Sequence, residues 1–182
     1  MTDRRQNIVE AAQQVFLRYG FARTTMADIA KAAGLSRPTL YASFPDKAEI
    51  FRAVLEAMVA EELAELRANV ATVQDFEAQL IYLAEKWTLD GYDLVAANPD
   101  AKDMFDMSFA VVRESYTMFE ALLADLISEA FADPAREAQA GRMARMAVAA
   151  MKGFKDIAED REDLRGMIRS LVTAVSAVVA HG

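Results

Sequence analysis

Residues 21–51 read FARTTMADIAKAAGLSRPTLYASFPDKAEIF, and the order of caps, glycine and proline in this stretch decides the fold of the N-terminal region. Thr25 with Asp28 three residues on is a capping box, with Asp in place of Glu. The threonine oxygen accepts from the first turn, and the aspartate suits the positive end of a helix. A helix over 26–33 turns Ile29 and Ala30 inward. Gly34 ends it, since glycine enters the left-handed region without steric cost. Leu35 is then a buried turn residue and Ser36 an N-cap. Pro38 lies in the first turn of a third helix, where its missing N–H costs nothing. That helix carries Thr39, Leu40, Tyr41 and Ala42 and closes near Phe44-Pro45. Asp46 to Glu49 repeats the capping logic and opens a long fourth helix. Two short helices joined through Gly34-Leu35-Ser36 form a helix-turn-helix.

Upstream, Ile8, Ala11, Ala12, Val15, Phe16 and Tyr19 recur at spacings of three and four, one apolar face of a helix over 7–19 that stops at Gly20. Downstream, Ile50, Phe51, Val54, Leu55, Met58, Leu63 and Leu66 continue the fourth helix to about residue 69. Thr72 with Asp75 caps a fifth helix, which Asn98-Pro99-Asp100 breaks. A short helix over 101–107 and a long one over 109–131 follow. Asp133-Pro134 starts a helix over 135–154, and a charged loop at 159–163 precedes the last, 164–180. No stretch shows sustained period-two alternation. The fold expected is all-α, with about nine helices.

The length, 182 residues with 54% hydrophobic and 26% charged, fits one domain or two closely joined ones. No apolar run reaches the length of a membrane span, and the start is amphipathic rather than an apolar signal core. A cytoplasmic protein with no membrane partner is expected. Cysteine is absent and His181 is the one histidine. Disulfides and thiolate chemistry are therefore excluded, and no metal or cofactor is expected. The net charge is -8, but residues 1–52 hold eight Lys/Arg against five Asp/Glu, a balance of +3. The remainder carries -11. A basic end on an acidic body is a possible footprint for phosphate, and also a composition that chance produces.

A recognition helix needs groups in its first turn that reach base edges and phosphates. Arg37 can pair with phosphate or with guanine, or stay a solvated surface arginine. Thr39 can bond a base or touch a thymine methyl, to which Pro38 also offers an apolar surface. Tyr41 either donates to phosphate or lies half-buried against the first helix. Lys47, at a helix start that itself attracts phosphate, either joins that anion or pairs with a nearby acid. Thr25 is at least an N-cap.

The stretch resembles the signature of the TetR family of repressors. Gly20-Phe21, Thr24-Thr25, Ile29-Ala30, Ala33-Gly34, Ser36, Thr39-Leu40-Tyr41, Phe44 and Lys47 carry the likeness, over about a quarter of the chain. The resemblance implies a homodimer on a palindromic double-stranded operator, released by a small molecule bound in the C-terminal domain. By position it implies DNA contacts from Thr25, Ser36, Arg37, Pro38, Thr39, Tyr41 and Lys47. Ala42 departs from the larger residue many members carry, which leaves specificity to Arg37 and Thr39. The domains expected are 1–47, a helix-turn-helix, and 48–182, a helical effector-binding and dimerisation domain.

The last two helices are apolar over wide faces. Met143, Met146, Ala147, Ala150, Met151 and Phe154 line one, and Leu164, Ile168, Leu171, Val172, Val175, Val178 and Val179 the other. They are expected to pair with their mates in a dimer, or else to be core. Between the fifth helix and 131, Trp87, Tyr92, Phe105, Tyr116 and Phe119 are candidates to line a pocket for a small apolar or aromatic effector; ordinary core packing is the alternative. Asp90, Asp93, Asp103 and Asp106 would favour a cationic effector if one pointed inward. No glycine loop, Ser–His pairing or metal spacing points to an enzyme. An interaction or nucleoid-associated protein of TetR fold, without ligand-controlled repression, is the second reading.

Overall fold

The computed structural model describes residues 3–131 and 133–181, and among these the protein is all-α. The helices are α1 Asp3–Arg23, α2 Met26–Ala32, α3 Arg37–Ser43, α4 Lys47–Val70, α5 Phe76–Ala97, α6 Ala110–Phe131, α7 Glu137–Ile157 and α8 Arg161–His181. The short helix expected at 101–107 is a 3-10 segment, Pro99–Phe105, and a second such turn, Pro134–Arg136, leads into α7.

Helix ends follow side-chain caps more closely than apolar periodicity. Asp75, rather than Thr72, caps α5 by accepting the Ala78 N–H at 2.9 Å. The Thr72 hydroxyl instead donates to the Asn69 carbonyl, 2.7 Å, closing α4. The last helix begins inside the expected charged loop, because one carboxylate oxygen of Asp160 accepts from Glu162 and Asp163.

The chain packs as two compact units. The first comprises the residues up to Glu61 with Val95–Arg113; the second comprises Glu62–Leu94 and the residues from Glu114 onward. The boundary expected at 47/48 marks the start of α4, whereas packing carries the first unit further. The reason is an aromatic cluster that sequence distance hides. Phe51 of α4 lies 5.4 Å from Phe16, 4.6 Å from Phe21 and 4.8 Å from Phe109, centroid to centroid. Around it Ile8, Ile29, Leu40, Phe44 and Ile50 are buried. On α1, Val9 is buried and Tyr19 exposed, the reverse of the expected face. Leu35 is only half-buried.

Gly20 interrupts α1 with φ 75° and ψ 171°, a backbone region that only glycine enters readily. The helical turn after it is capped from far along the chain. The Asp103 carboxylate accepts the N–H groups of Phe21 and Ala22 at 2.9 and 2.8 Å. Arg23 pairs with Asp100 at 2.6 Å.

In the second unit, Leu63, Leu66, Leu83, Phe119, Leu123, Ile127, Leu164 and Ile168 form the core. Ion pairs tie α5 to α8: Arg161 with Asp93 at 2.9 Å, and Arg169 with Glu85 at 2.6 Å. Lys86 joins Asp90 and Glu65, and these hydrogen bonds hold its ammonium above the usual lysine range. Seven of the thirteen apolar positions expected at a dimer contact are core, Leu164 and Ile168 among them. Met143, Ala147 and Met151 of α7 and Val172 and Val175 of α8 are buried within the chain.

Candidate nucleic-acid interface and effector cleft

The helix-turn-helix is closed by its own backbone. The Leu35 N–H donates to Ala30 O at 2.9 Å and the Gly34 N–H to Lys31 O at 3.2 Å, the paired bonds of a Schellman turn. Gly34 has φ 66°. The Thr25–Asp28 capping box is present in both directions. Hydrogen bonds from the Thr25 hydroxyl and N–H hold the Asp28 carboxyl below its ordinary range.

At the start of α3, Ser36 Oγ accepts the Thr39 N–H at 3.3 Å and lies 2.7 Å from the Thr39 hydroxyl. Leu40 and Phe44 anchor the inner side, at 0% and 1% exposure. Ser36, Arg37, Pro38, Tyr41 and Ala42 form the outer side. Tyr41 is 50% exposed. Arg37 has no hydrogen bond or ion pair among the described residues, which leaves all five of its N–H groups for a ligand. Thr39 is half-buried beside Ser36.

Two expected phosphate contacts are otherwise engaged. The hydroxyl of Thr25 has one proton, and it goes to Asp28 Oδ2 at 2.6 Å. Lys47 pairs with no acid among the described residues and is half-buried. Its ammonium donates to the carbonyls of Phe21 and Thr24 at 2.6 and 2.8 Å and sits 4.3 Å from the centre of the Phe21 ring. It satisfies the carbonyls left open where α1 ends, and so ties α4 to the α1–α2 connection.

Arg5 is a residue the sequence reading passed over. Its guanidinium donates to the Ser43 carbonyl at the end of α3 and stacks 3.9 Å from the Phe44 ring centroid. Arg4 is exposed beside it, on an open groove that Leu35, Ala42 and Ser43 also line. Only the arginine pair itself was a signal; nothing in the sequence tells that the first turn of α1 meets the last turn of α3.

Of the five pocket candidates, three converge. Trp87 and Phe119 stack at 4.5 Å with 6° between their planes, and Tyr116 meets Trp87 edge-on at 6.2 Å. Tyr92 does not join them. Five residues beyond Trp87 on α5, it points about 140° away around the helix. Phe105 belongs to the first unit, in the 3-10 segment. Thr88, Val148, Met151, Lys152 and Lys155 complete the cleft, which has no room for a water molecule. The four aspartates proposed for a cationic effector have other partners: Lys86 for Asp90, Arg161 for Asp93, Phe21 and Ala22 N–H for Asp103, and Ser108 N–H for Asp106.

Residues 8–54 match the family model described as bacterial regulatory proteins, tetR family. This stretch is a TetR-family helix-turn-helix. The chain is 46% identical over 54 residues to the HTH-type transcriptional regulator TtgR of Pseudomonas putida, a match covering 30% of this chain and 26% of that protein. Beyond the TetR motif the likeness is one of fold. A transcriptional regulator from Cytophaga hutchinsonii superposes with a TM-score of 0.75 at 21% identity, over 95% of this chain and 96% of that one. A regulator from Saccharomonospora viridis, solved in complex with choline, gives 0.65 at 18% identity over 100% and 98%. Among the described residues no helix is long and apolar enough to cross a membrane, and no group of acids and histidine could hold a metal.

Proposed function

We propose that this chain is a TetR-type transcriptional repressor of the cytoplasm, bound as a homodimer to a palindromic operator and released by a small molecule. The observation that carries it is the outer side of α3. A Schellman turn fixes that helix, and Ser36, Arg37, Pro38 and Tyr41 lie exposed on it with the guanidinium unengaged. Thr39 stands behind them and orients Ser36. Thr25 and Lys47 act by holding the frame, and Thr25 reaches a phosphate only by releasing Asp28.

The dimer is supported by what α7 and α8 leave outside. Met146, Ala149, Gly153 and Ile157 form one exposed stripe, and Gly166, Ser170, Thr173, Ala177 and Val178 another. Met146, Ile157 and Val178 are 57%, 68% and 44% exposed, and the small residues between them permit close helix approach. The effector is supported by the Trp87–Tyr116–Phe119 cleft. The choline-bound relative holds a cation within the same fold, whereas two lysines flank the cleft of this chain.

Selection from a random duplex pool followed by footprinting tests the reading. A single protected palindrome is expected; uniform affinity for all duplexes would favour the interaction or nucleoid-associated reading. Sedimentation tests the dimer. Val178→Arg is expected to give folded monomers, and a persistent dimer would move the interface elsewhere.

A further inference from the structure

We propose that the cleft between α5, α6 and α7 is a site for an amphiphilic carboxylate, its anion on Lys155 and its apolar body between Trp87 and Phe119. This rests on the reading above, in which the same cleft takes the effector, and it names the effector's chemistry.

The walls are apolar and aromatic, and the polar groups are few. Thr88 is fully buried, and its hydroxyl is spent on Met151 Sδ at 3.4 Å. Lys155 Nζ donates to the Tyr116 hydroxyl at 3.0 Å. That is one neutral acceptor for an ammonium with three N–H groups. Lys152 lines the same cleft. Neither lysine has a carboxylate within ion-pair distance among the described residues.

Four of the eight other lysines and arginines of the unit behave differently. Lys86, Arg161, Arg165 and Arg169 all pair with acids, in a chain with 28 acidic residues to 20 basic ones. Acidic partners are in surplus, yet they are missing where two ammonium groups meet an aromatic cleft. A cationic ligand would find two like charges here and no available carboxylate. An anion would supply the charged partner Lys155 lacks, and a charge-assisted hydrogen bond is stronger than the neutral one to Tyr116. Gly91 faces the same spot: a Cβ there would stand 3.8 Å from Lys155 Nζ, an ordinary van der Waals contact.

The stack is closed in this state, so an apolar body must part the two rings. Trp87 is the only tryptophan, so its emission reports that event directly.

The test titrates Trp87 fluorescence of the full chain with octanoate, octanol and octylammonium, and with 3-phenylpropanoate and its alcohol and ammonium counterparts. At least one carboxylate is expected to bind about ten-fold or more tightly than both its counterparts. Lys155→Met should erase that preference and Lys155→Arg should keep it. Equal or tighter binding of the alcohols or ammoniums, no response to either carboxylate, or a preference that survives Lys155→Met would overturn the proposal. The wild-type comparison decides even if a variant fails to fold. DNA release measured in parallel separates the two readings. An alcohol or ammonium that releases DNA leaves the effector reading standing and overturns the carboxylate. A selective carboxylate that leaves DNA binding unchanged supports the site and removes its effector role.

Discussion

The turn at Gly34 and the break at Gly20 have similar φ, 66° and 75°, but they are built from opposite materials. Gly34 is closed by carbonyls three and five residues back, and among the described residues nothing beyond its chain neighbours lies within 4 Å of where a Cβ would stand. Gly20 is closed by a segment some 80 residues on, and a Cβ there would lie 2.3 Å from the Asp100 carbonyl and 2.6 Å from Asp103 Oδ1. One glycine answers only a local dihedral. The other answers a dihedral and a neighbour, and that neighbour holds the end of α1 in place.

The largest expected effect follows from that difference. Gly20→Ala should cost about 3–5 kcal/mol, combining backbone strain with overpacking against main chain. Gly34→Ala should cost about 1–2 kcal/mol from strain alone. Chemical denaturation of both variants checks this, and equal losses would mean that the 3-10 segment yields freely around Gly20.

Lys47→Ala probes the distant kind of closure with a side chain. Removing a charged donor from partly buried carbonyls should cost about 1.5–3 kcal/mol of stability. The slope of log affinity against log salt for DNA should stay as it is in the folded variant. A slope shallower by about one unit would put the ammonium on a phosphate instead.

Arg37→Ala lies at the other extreme, since the side chain is exposed and has no hydrogen bond or ion pair among the described residues. Stability should hold within about 0.5 kcal/mol, while operator affinity falls by about 1–3 kcal/mol with preference lost at one base pair. Unchanged affinity and preference would take Arg37 out of the interface.

The smallest effect is at the capping box. Asp28 is held below its unfolded value of 3.8, so its contribution is complete above that pH and fades as pH falls through the lower, folded value. In Asp28→Asn the thermal midpoint should lose part of its dependence on pH below about 4. An unaltered acid limb would show that the box does not persist in solution.

The same contrast explains what could be read in advance. The Thr25–Asp28 box, the Gly34 turn, the Ser36 cap and Pro38 in the first turn of α3 involve partners at most five residues apart, so the sequence alone displays both halves of each device. Apolar spacing located the helices for the same reason. It mis-set the inner face of α1, because the Val9-for-Tyr19 exchange depends on which neighbours α1 meets. The Trp87–Phe119 stack was half legible: both rings were candidates, but Tyr92 and Phe105 were grouped with them because composition carries no direction.

The sequence by itself determined an all-helical chain, the position and closure of the helix-turn-helix, and the exposed chemistry of α3, since short-range hydrogen bonds and dihedral limits act between residues already adjacent along the backbone. Only the tertiary structure decided that Lys47 caps α1, that Arg5 braces α3, that Asp103 closes the break at Gly20, and that Lys155 meets Tyr116 at an aromatic cleft. Each of those contacts joins groups 23 to 82 residues apart. Their meeting is fixed by how whole helices pack, which no local pattern encodes.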